Sequence, residues 1–200
     1  MLSNYSGMAL VAGRYQHRKF SDETAMHQLE PAPHQMSKAD FITAYGSIYE
    51  HSPWVAETVW TAGLGPADAN PGHLASRMAE IVDAGGHDRQ MALLCAHPEL
   101  AGKLAVAGRL TAESTAEQAS AGLDQCTAAE FDEFHALNQR YRSKFGHPFI
   151  IAVRGLDRHA ILDAFRQRID HNAPDEFVTA LAEVHKIARL RLEQLAQHSA

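Results

Sequence analysis

The segment AHPELAGK (96–103) contains a histidine that is followed directly by a proline at the expected end of a helix. The apolar residues of 91–96 predict that helix, and Pro98 disfavours helical backbone at His97, so the imidazole should lie at the helix C-terminus. A histidine placed there can accept or donate a proton near neutral pH. A second interpretation is that it only caps the last carbonyl groups, and this segment alone favours the cap.

Two carboxylates follow this histidine in the sequence. Glu99 lies four residues before Lys103, a spacing typical of an ion pair on a helix surface. Glu117 completes the pattern Ser114-x-x-Glu117, which is typical of a capping box at the start of a helix. The amide groups at such a helix start can also hold an anionic or carbonyl-rich ligand. The local pattern favours capping and leaves ligand binding open.

Arg191 lies on the apolar face of the predicted C-terminal helix. That face follows spacings of three and four residues and comprises Phe177, Leu181, Val184, Ala188, Arg191 and Leu195. An arginine on it should be at least partly buried, and a buried guanidinium needs an anionic partner. The other interpretation is that its stem packs on the core while its head stays in water. Because no acidic residue of the same face lies close to it in the sequence, the pattern also suggests a bound carboxylate.

Length and composition indicate one globular domain. The 200 residues are 46% hydrophobic with a mean hydropathy of −0.28, which is typical of a soluble protein with a core. The formal net charge of −6 argues against a broad nucleic-acid-binding surface, and no apolar run approaches the ~20 residues that span a bilayer. Cys95 and Cys126 are isolated, and neither terminus resembles a secretory or peroxisomal signal, so we expect a cytoplasmic protein.

Thirteen histidines raise the question of a metal site. They are scattered along the chain, and neither a His-Glu-x-x-His motif nor paired Glu-x-x-His motifs occur among them. Two distant cysteines cannot supply a structural zinc site. We therefore expect most of the histidines at the surface and predict no metal site.

The elements that must position these residues indicate an all-α fold. Residues 1–36 lack a sustained period, so we expect a poorly ordered N-terminal extension, followed by a single compact domain of roughly eight helices over 37–196. Predicted helices start at Ser37 and Pro53, stop before Gly85, cover 91–96, start again at Ser114 and Thr127, and cover about 158–170 and 175–196. The only strand-like run is 148–153, and one short strand cannot form a sheet, so we expect an extended segment packed on helices.

Five motifs occur in the order found in the family of OHCU decarboxylases, whose substrate is 2-oxo-4-hydroxy-4-carboxy-5-ureidoimidazoline (OHCU). They are EHSPWVAE (50–57), AHPELAGK (96–103), ESTAEQASAGLD (113–124), LNQRYRSKFGHPFIIAVRG (137–155) and EVHKIARLRL (183–192). The resemblance covers about residues 37–195. Five ordered motifs are far more specific than an HPEL motif alone.

The resemblance implies an all-α, cofactor-free and typically homodimeric enzyme of urate breakdown, which removes the C4 carboxylate of OHCU and forms (S)-allantoin. His97 resembles the family's catalytic acid or base, and Glu117 would orient either His97 or the 4-hydroxyl group. The substrate-binding residues that the resemblance implies are Pro98, Ser114, Thr115, Ala116, Glu117, Gln118, Phe149, Ile150, Ile151, Ala152, Val153 and Arg191. Arg191 would hold an anionic group, and the backbone of 149–153 would offer free amides and carbonyls to the substrate. His147 stands where many members have an apolar or aromatic residue.

The alternative is a helical module that binds a ureide-like ligand without turnover, and a third interpretation is a metal-dependent hydrolase. The presence of His97, Glu117 and Arg191 together favours the decarboxylase, because binding alone would not require a proton donor. The expected partners are therefore a small-molecule substrate and a second copy of the chain, with no nucleic acid and no membrane.

Overall fold

The computed structural model describes residues 27–100, 121 and 123–198 of the chain. Seven α-helices occur there: α1 (Lys38–Tyr45), α2 (Trp54–Thr61), α3 (Pro71–Asp83), α4 (His87–Ala96), α5 (Ala128–Phe145), α6 (Arg158–Arg168) and α7 (Ala173–His198). Short 3₁₀ helices are found at Pro33–Gln35, Pro66–Ala69 and Leu123–Gln125. No strand occurs in these ranges, which confirms the all-α prediction. None of the seven helices is long and apolar enough to cross a bilayer.

Helix boundaries follow local capping signals. Thr127 and Glu130 form the predicted capping box at the start of α5. Gly146 ends the same helix in the left-handed conformation, with a φ of 79° that favours glycine. At α2 the start differs from the prediction by one residue, because Trp54 is the first helical residue and Pro53 occupies the N-cap position.

Buried side chains form two hydrophobic clusters. The first draws on α1, α2, α3, α4 and α7, and its members include Phe41, Val59, Leu74, Leu93, Leu94, Ile150 and Leu192. The second draws on α5, α6 and the extended segment, and its members include Leu100, Phe134, Tyr141, Phe149, Val153 and Phe165. The long helix α7 contacts α3, α4 and α5, so it connects the two clusters. Both the HPEL segment and the extended segment pass from one cluster to the other.

Part of the N-terminal extension that we expected to be poorly ordered packs against the rest of the chain. Leu29 is 1% exposed, and its amide donates a hydrogen bond to the Ala69 carbonyl at 2.8 Å. Pro33 is also buried, within the first 3₁₀ helix. The packed structure therefore begins before residue 37, because one apolar side chain can fill a core position without producing a helical period. The rest of the expected extension, 1–26, lies outside the described residues.

Residues 148–153 lie between α5 and α6 and belong to neither helix, as predicted. Five of these six residues are buried, namely Pro148, Phe149, Ile150, Ala152 and Val153. The run is strand-like in sequence because it is buried, and not because it pairs with another strand in the described part of the chain. Its position beside α7 brings it close to the C-terminal motif.

Candidate active site

His97 directly follows α4, and only 8% of its surface is exposed. Its backbone is extended, with φ −72° and ψ 142°, which confirms the helix end predicted from the following proline. Its Nδ1–H donates to the Leu93 carbonyl at 2.9 Å, because a carbonyl oxygen can only accept. The capping interpretation therefore holds for Nδ1. In the neutral ring the lone pair then lies on Nε2, which is the atom able to exchange a proton with a ligand.

The residues that follow His97 are attached to α5. Asn138 is buried, and its Nδ2 donates to the Leu100 carbonyl at 2.9 Å. Arg142 Nη1 donates to Glu99 Oε1 at 3.2 Å. These two contacts hold the HPEL segment against an 18-residue helix, so the imidazole has a defined position.

Burial lowers the pKa of His97 from the ordinary value of 6.5 to about 4, because the imidazolium loses its hydration. The hydrogen bond to Leu93 and the negative charge of Glu50 oppose this effect by favouring the imidazolium. The positive charge of Arg191 and the electrostatic effect of His51 add to it. At neutral pH the ring is therefore uncharged, and its Nε2 carries a lone pair.

The pKa of His97 is 6.5 in the unfolded chain and about 4 in the folded chain. We therefore expect the free energy of unfolding to fall as the pH is lowered from 6.5 towards about 4. The unfolded chain binds more protons in this window, so acid favours it, by up to about 3 kcal/mol for this one group. Urea unfolding between pH 4 and 7 measures the effect. A His97→Asn variant should lose this part of the pH dependence. A difference in the free energy of unfolding between wild type and His97→Asn that stays constant with pH would contradict the expectation.

Arg191 lies on the inner face of α7 and is 6% exposed, which confirms burial and not snorkelling. Its Nη1 donates to Glu50 Oε2 at 3.0 Å. The carbonyls of Ser47 and Ile48 accept longer hydrogen bonds from the same nitrogen, at 3.4 and 3.3 Å. The chain thus supplies an anionic partner for this guanidinium from the connection between α1 and α2, 141 residues away in the sequence.

The extended segment uses part of its backbone within the protein. The Ile150 carbonyl accepts from Arg168 Nη1 at 2.7 Å, and the Ala152 amide donates to Glu183 Oε2 at 2.7 Å. The Val153 carbonyl accepts from the Leu156 amide at 2.9 Å. The expectation of free amides and carbonyls is therefore wrong for these three groups. The physical reason is that buried backbone without a strand partner must find partners among side chains or in a local turn.

Glu176 is fully buried near the start of α7 and is the centre of a polar network. It accepts hydrogen bonds from Arg168 Nε at 3.0 Å, from His171 Nδ1 at 2.7 Å and from the Tyr141 hydroxyl. Burial and the hydrogen bond to Glu176 raise the pKa of Tyr141, so this hydroxyl stays a donor. Arg168 also lies over the Phe149 ring, 4.5 Å from its centroid. The network joins three helices to the extended segment.

His147 is a core residue of the same region, 1% exposed. Its Nδ1–H donates to the Pro148 carbonyl at 2.9 Å, and its ring meets Tyr141 edge-on at 5.6 Å between centroids. Burial lowers the pKa of His147, so the neutral ring packs as an aromatic side chain would. This accounts for a histidine at a position where the family resemblance led us to expect an apolar or aromatic residue.

The structure brings together only part of the predicted site. His97 and Arg191 are near enough to interact electrostatically, and Pro98 is half-buried beside the histidine. Ser114, Thr115, Ala116, Glu117 and Gln118 lie outside the described residues, as does Lys103. In the ranges 27–100, 121 and 123–198, no three His, Cys, Asp or Glu side chains lie close enough to hold a metal ion. That no cofactor is needed stays a prediction.

Sequence reasoning missed several polar residues of this region: Glu50, Asn138, Arg168, Glu176 and Glu183. A signal existed for two of them. Asn138 lies four residues after Phe134 on the buried face of α5, and Arg168 lies three residues after Phe165 on that of α6. A polar residue on an apolar face indicates a buried hydrogen bond or ion pair.

Similarity to known proteins provides evidence that is independent of this geometry. A family model described as OHCU decarboxylase matches residues 34–193. The chain belongs to the OHCU decarboxylase family. Within that family, the 2-oxo-4-hydroxy-4-carboxy-5-ureidoimidazoline decarboxylase of Halalkalicoccus jeotgali is 44% identical over 161 residues, which are 80% of this chain and 88% of that protein. The protein of the same name from Haloferax volcanii is 41% identical over 172 residues, 84% of this chain and 97% of the relative.

A solved structure also resembles this member of the OHCU decarboxylase family. It is an (S)-allantoin synthase that superposes with a TM-score of 0.64 at 33% sequence identity. The match covers 82% of this chain and 52% of the other, so this chain spans about half the length of that protein. Together these similarities confirm the resemblance inferred from the five motifs.

Proposed function

We propose that this member of the OHCU decarboxylase family removes the C4 carboxylate of OHCU without a cofactor and forms (S)-allantoin in urate degradation. The family match over residues 34–193 is the observation that supports this most strongly, because it contains both His97 and Arg191. The similar solved protein is an (S)-allantoin synthase, which supports the same product.

The reaction exchanges a carboxylate for a proton. When the bond between C4 and the carboxylate breaks, its electron pair stays on the ring and is delocalised into the neighbouring C=N group. The nitrogen of that group then takes one proton from solvent as CO₂ leaves. The substrate ring thus accepts the electrons itself, and the protein must supply a group that moves a proton.

His97 is both the proton acceptor and the proton donor in this proposal. The His97 ring is uncharged at neutral pH, and its Nε2 accepts the proton of the 4-hydroxyl group while CO₂ leaves. The imidazolium then returns this proton to the ring carbon next to C4, which belonged to the C=N group, and the hydroxyl on C4 becomes a carbonyl. Because Nδ1 is held by the Leu93 carbonyl, the proton arrives from one direction, which produces one hand of the product.

The other family residues bind and orient the substrate. The positive charge of Arg191 attracts the anionic group, and Glu117 orients His97 or the 4-hydroxyl. In the extended segment, backbone groups other than the Ile150 and Val153 carbonyls and the Ala152 amide meet the polar edges of the ring and of the ureido group. Pro98, Ser114, Thr115, Ala116 and Gln118 line the rest of the site.

We further propose that the enzyme acts as a homodimer in the cytoplasm, as the family resemblance implies. Light scattering coupled to size-exclusion chromatography should give twice the chain mass of 22.0 kDa. A mass equal to one chain at micromolar concentration would contradict the dimer.

Freshly prepared OHCU provides the test of the activity. Its loss and the appearance of allantoin are followed by circular dichroism, with and without the protein. We expect the protein to accelerate the loss and to produce the signal of (S)-allantoin, because a fixed imidazole protonates one face. A module that only binds ureides would leave the rate unchanged and the product without optical activity.

A further inference from the structure

Glu50 lies in the connection between α1 and α2 and is 1% exposed. Its Oε2 is 3.0 Å from Arg191 Nη1, and the arginine side chain is itself 5% exposed. Both charges act on His97, the carboxylate in favour of the imidazolium and the guanidinium against it. Removal of either charge would therefore change the electrostatic potential at the ring.

Stability alone does not account for this ion pair. Two buried charges lose their hydration, and a well-packed apolar pair of similar volume is often as stable or more so. The Glu50 carboxylate also accepts from an arginine that two backbone carbonyls already contact, Ser47 and Ile48. The arrangement holds the guanidinium in one orientation, which is of use where a planar cation must meet an anionic ligand.

The connection that bears Glu50 is held firmly on both sides. Before it, the buried Tyr49 donates its hydroxyl to His185 Nδ1 at 2.8 Å, and His185 Nε2–H donates to Asp83 at 3.1 Å. After it, His51 has a φ of 47°, a left-handed conformation that is uncommon for residues other than glycine. A non-glycine residue persists there only where its surroundings impose the conformation, which is frequent at functional sites.

We infer that Glu50 is a positioning residue of this site, whose buried carboxylate orients Arg191 and balances its charge beside His97. Among the described residues, the charged or titratable groups that act on the His97 ring are Glu50 and His51 from the α1–α2 connection and Arg191 from α7. The Glu50 charge makes Nε2 more basic than it would be beside Arg191 alone, and the same carboxylate holds the guanidinium in one orientation. The kinetic part of this inference rests on the proposed function, and its electrostatic part does not.

A Glu50→Gln variant tests the kinetic part, because the amide can still accept from Arg191 but has no charge. We expect kcat to fall about tenfold, since a weaker base accepts the proton less readily, with no rise in KM for the anionic substrate. A Glu50→Asp variant, which keeps the charge, should recover part of the loss. The matched control is Glu57→Gln on exposed α2 surface, which should behave as wild type. Equal losses of kcat in Glu50→Gln and Glu50→Asp, with KM raised in both variants, would overturn the inference.

The electrostatic part is measured without substrate, by the ¹⁵N shifts of the ring nitrogens of His97 between pH 4 and 7. The His97→Asn spectrum identifies the resonances. Arg191→Gln should move the titration to higher pH, and adding Glu50→Gln to that variant should move it back. This comparison remains informative if Glu50→Gln alone does not fold. A titration that is the same with and without the Glu50 charge would show a purely structural residue, even if the enzyme is active.

Discussion

Replacing His97 with asparagine should lower kcat for OHCU by about a hundredfold to ten thousandfold, the usual contribution of a positioned acid–base group. Asparagine can still donate to the Leu93 carbonyl that now accepts from Nδ1, but it has no basic nitrogen in place of Nε2. The product formed by the remaining reaction should lack optical activity. Circular dichroism of OHCU decay at neutral pH measures both effects.

The structure offers a matched control for this experiment. His135 is exposed on α5, so His135→Asn makes the same chemical change without touching the site. It should leave both the rate and the optical activity of the product unchanged. Thermal unfolding at pH 7 should show that His97→Asn remains folded, because the wild-type ring is neutral at that pH and carries no charge to lose. Turnover close to wild type in folded His97→Asn would refute the assignment of this residue.

Replacing Glu176 with alanine should reduce the free energy of unfolding by about 3–5 kcal/mol, the usual cost of removing one partner of a buried ion pair. The substitution leaves the guanidinium of Arg168, whose residue is only 7% exposed, without the carboxylate that it contacts at 3.0 Å. It also removes the acceptor of the buried Tyr141 hydroxyl. Urea unfolding followed by far-ultraviolet circular dichroism measures the change.

An exposed ion pair of the same type provides the control. Glu133 contacts Arg166 at 2.7 Å, but both side chains are more than a third exposed. Glu133→Ala should therefore cost no more than about 1 kcal/mol, since water screens the pair and solvates the remaining arginine. If the Glu176 and Glu133 variants were equally stable, the buried network would not hold the helices together as described.

Because Arg168 also binds the Ile150 carbonyl, the network supports the backbone that is proposed to meet the substrate. Stability and activity are therefore connected through the extended segment. A variant that weakens the network without unfolding the protein is expected to raise KM more than it lowers kcat, because the His97 ring is held by the Leu93 carbonyl, which is not part of the network.

Much of the fold could be predicted because its signals are local. The capping box at Thr127 and the proline after His97 act within four residues, and both produced the expected helix boundaries. The apolar face of the last helix predicted that Arg191 would be buried, as the structure confirms. The beginning of the chain was less predictable, since Leu29 packs into the core without a helical period around it.

The partners of the buried charges could not be predicted in the same way. Arg191 is paired with Glu50, 141 residues earlier, and Tyr141 with Glu176, 35 residues later. No spacing rule links such residues, because the packing of the helices decides which side chains meet. The same is true of the backbone of the extended segment. Only the folded structure shows that the Ala152 amide donates a hydrogen bond to Glu183.

The sequence by itself determined the helical class and the family, and it predicted His97, Glu117 and Arg191 as residues of the site. These follow from local patterns and ordered motifs, which do not depend on how distant segments pack. Only the tertiary structure decided that the imidazole is buried and uncharged, and that a carboxylate from the α1–α2 connection balances the arginine. Burial and long-range charge pairs set the protonation of a group, and both are properties of the folded chain alone.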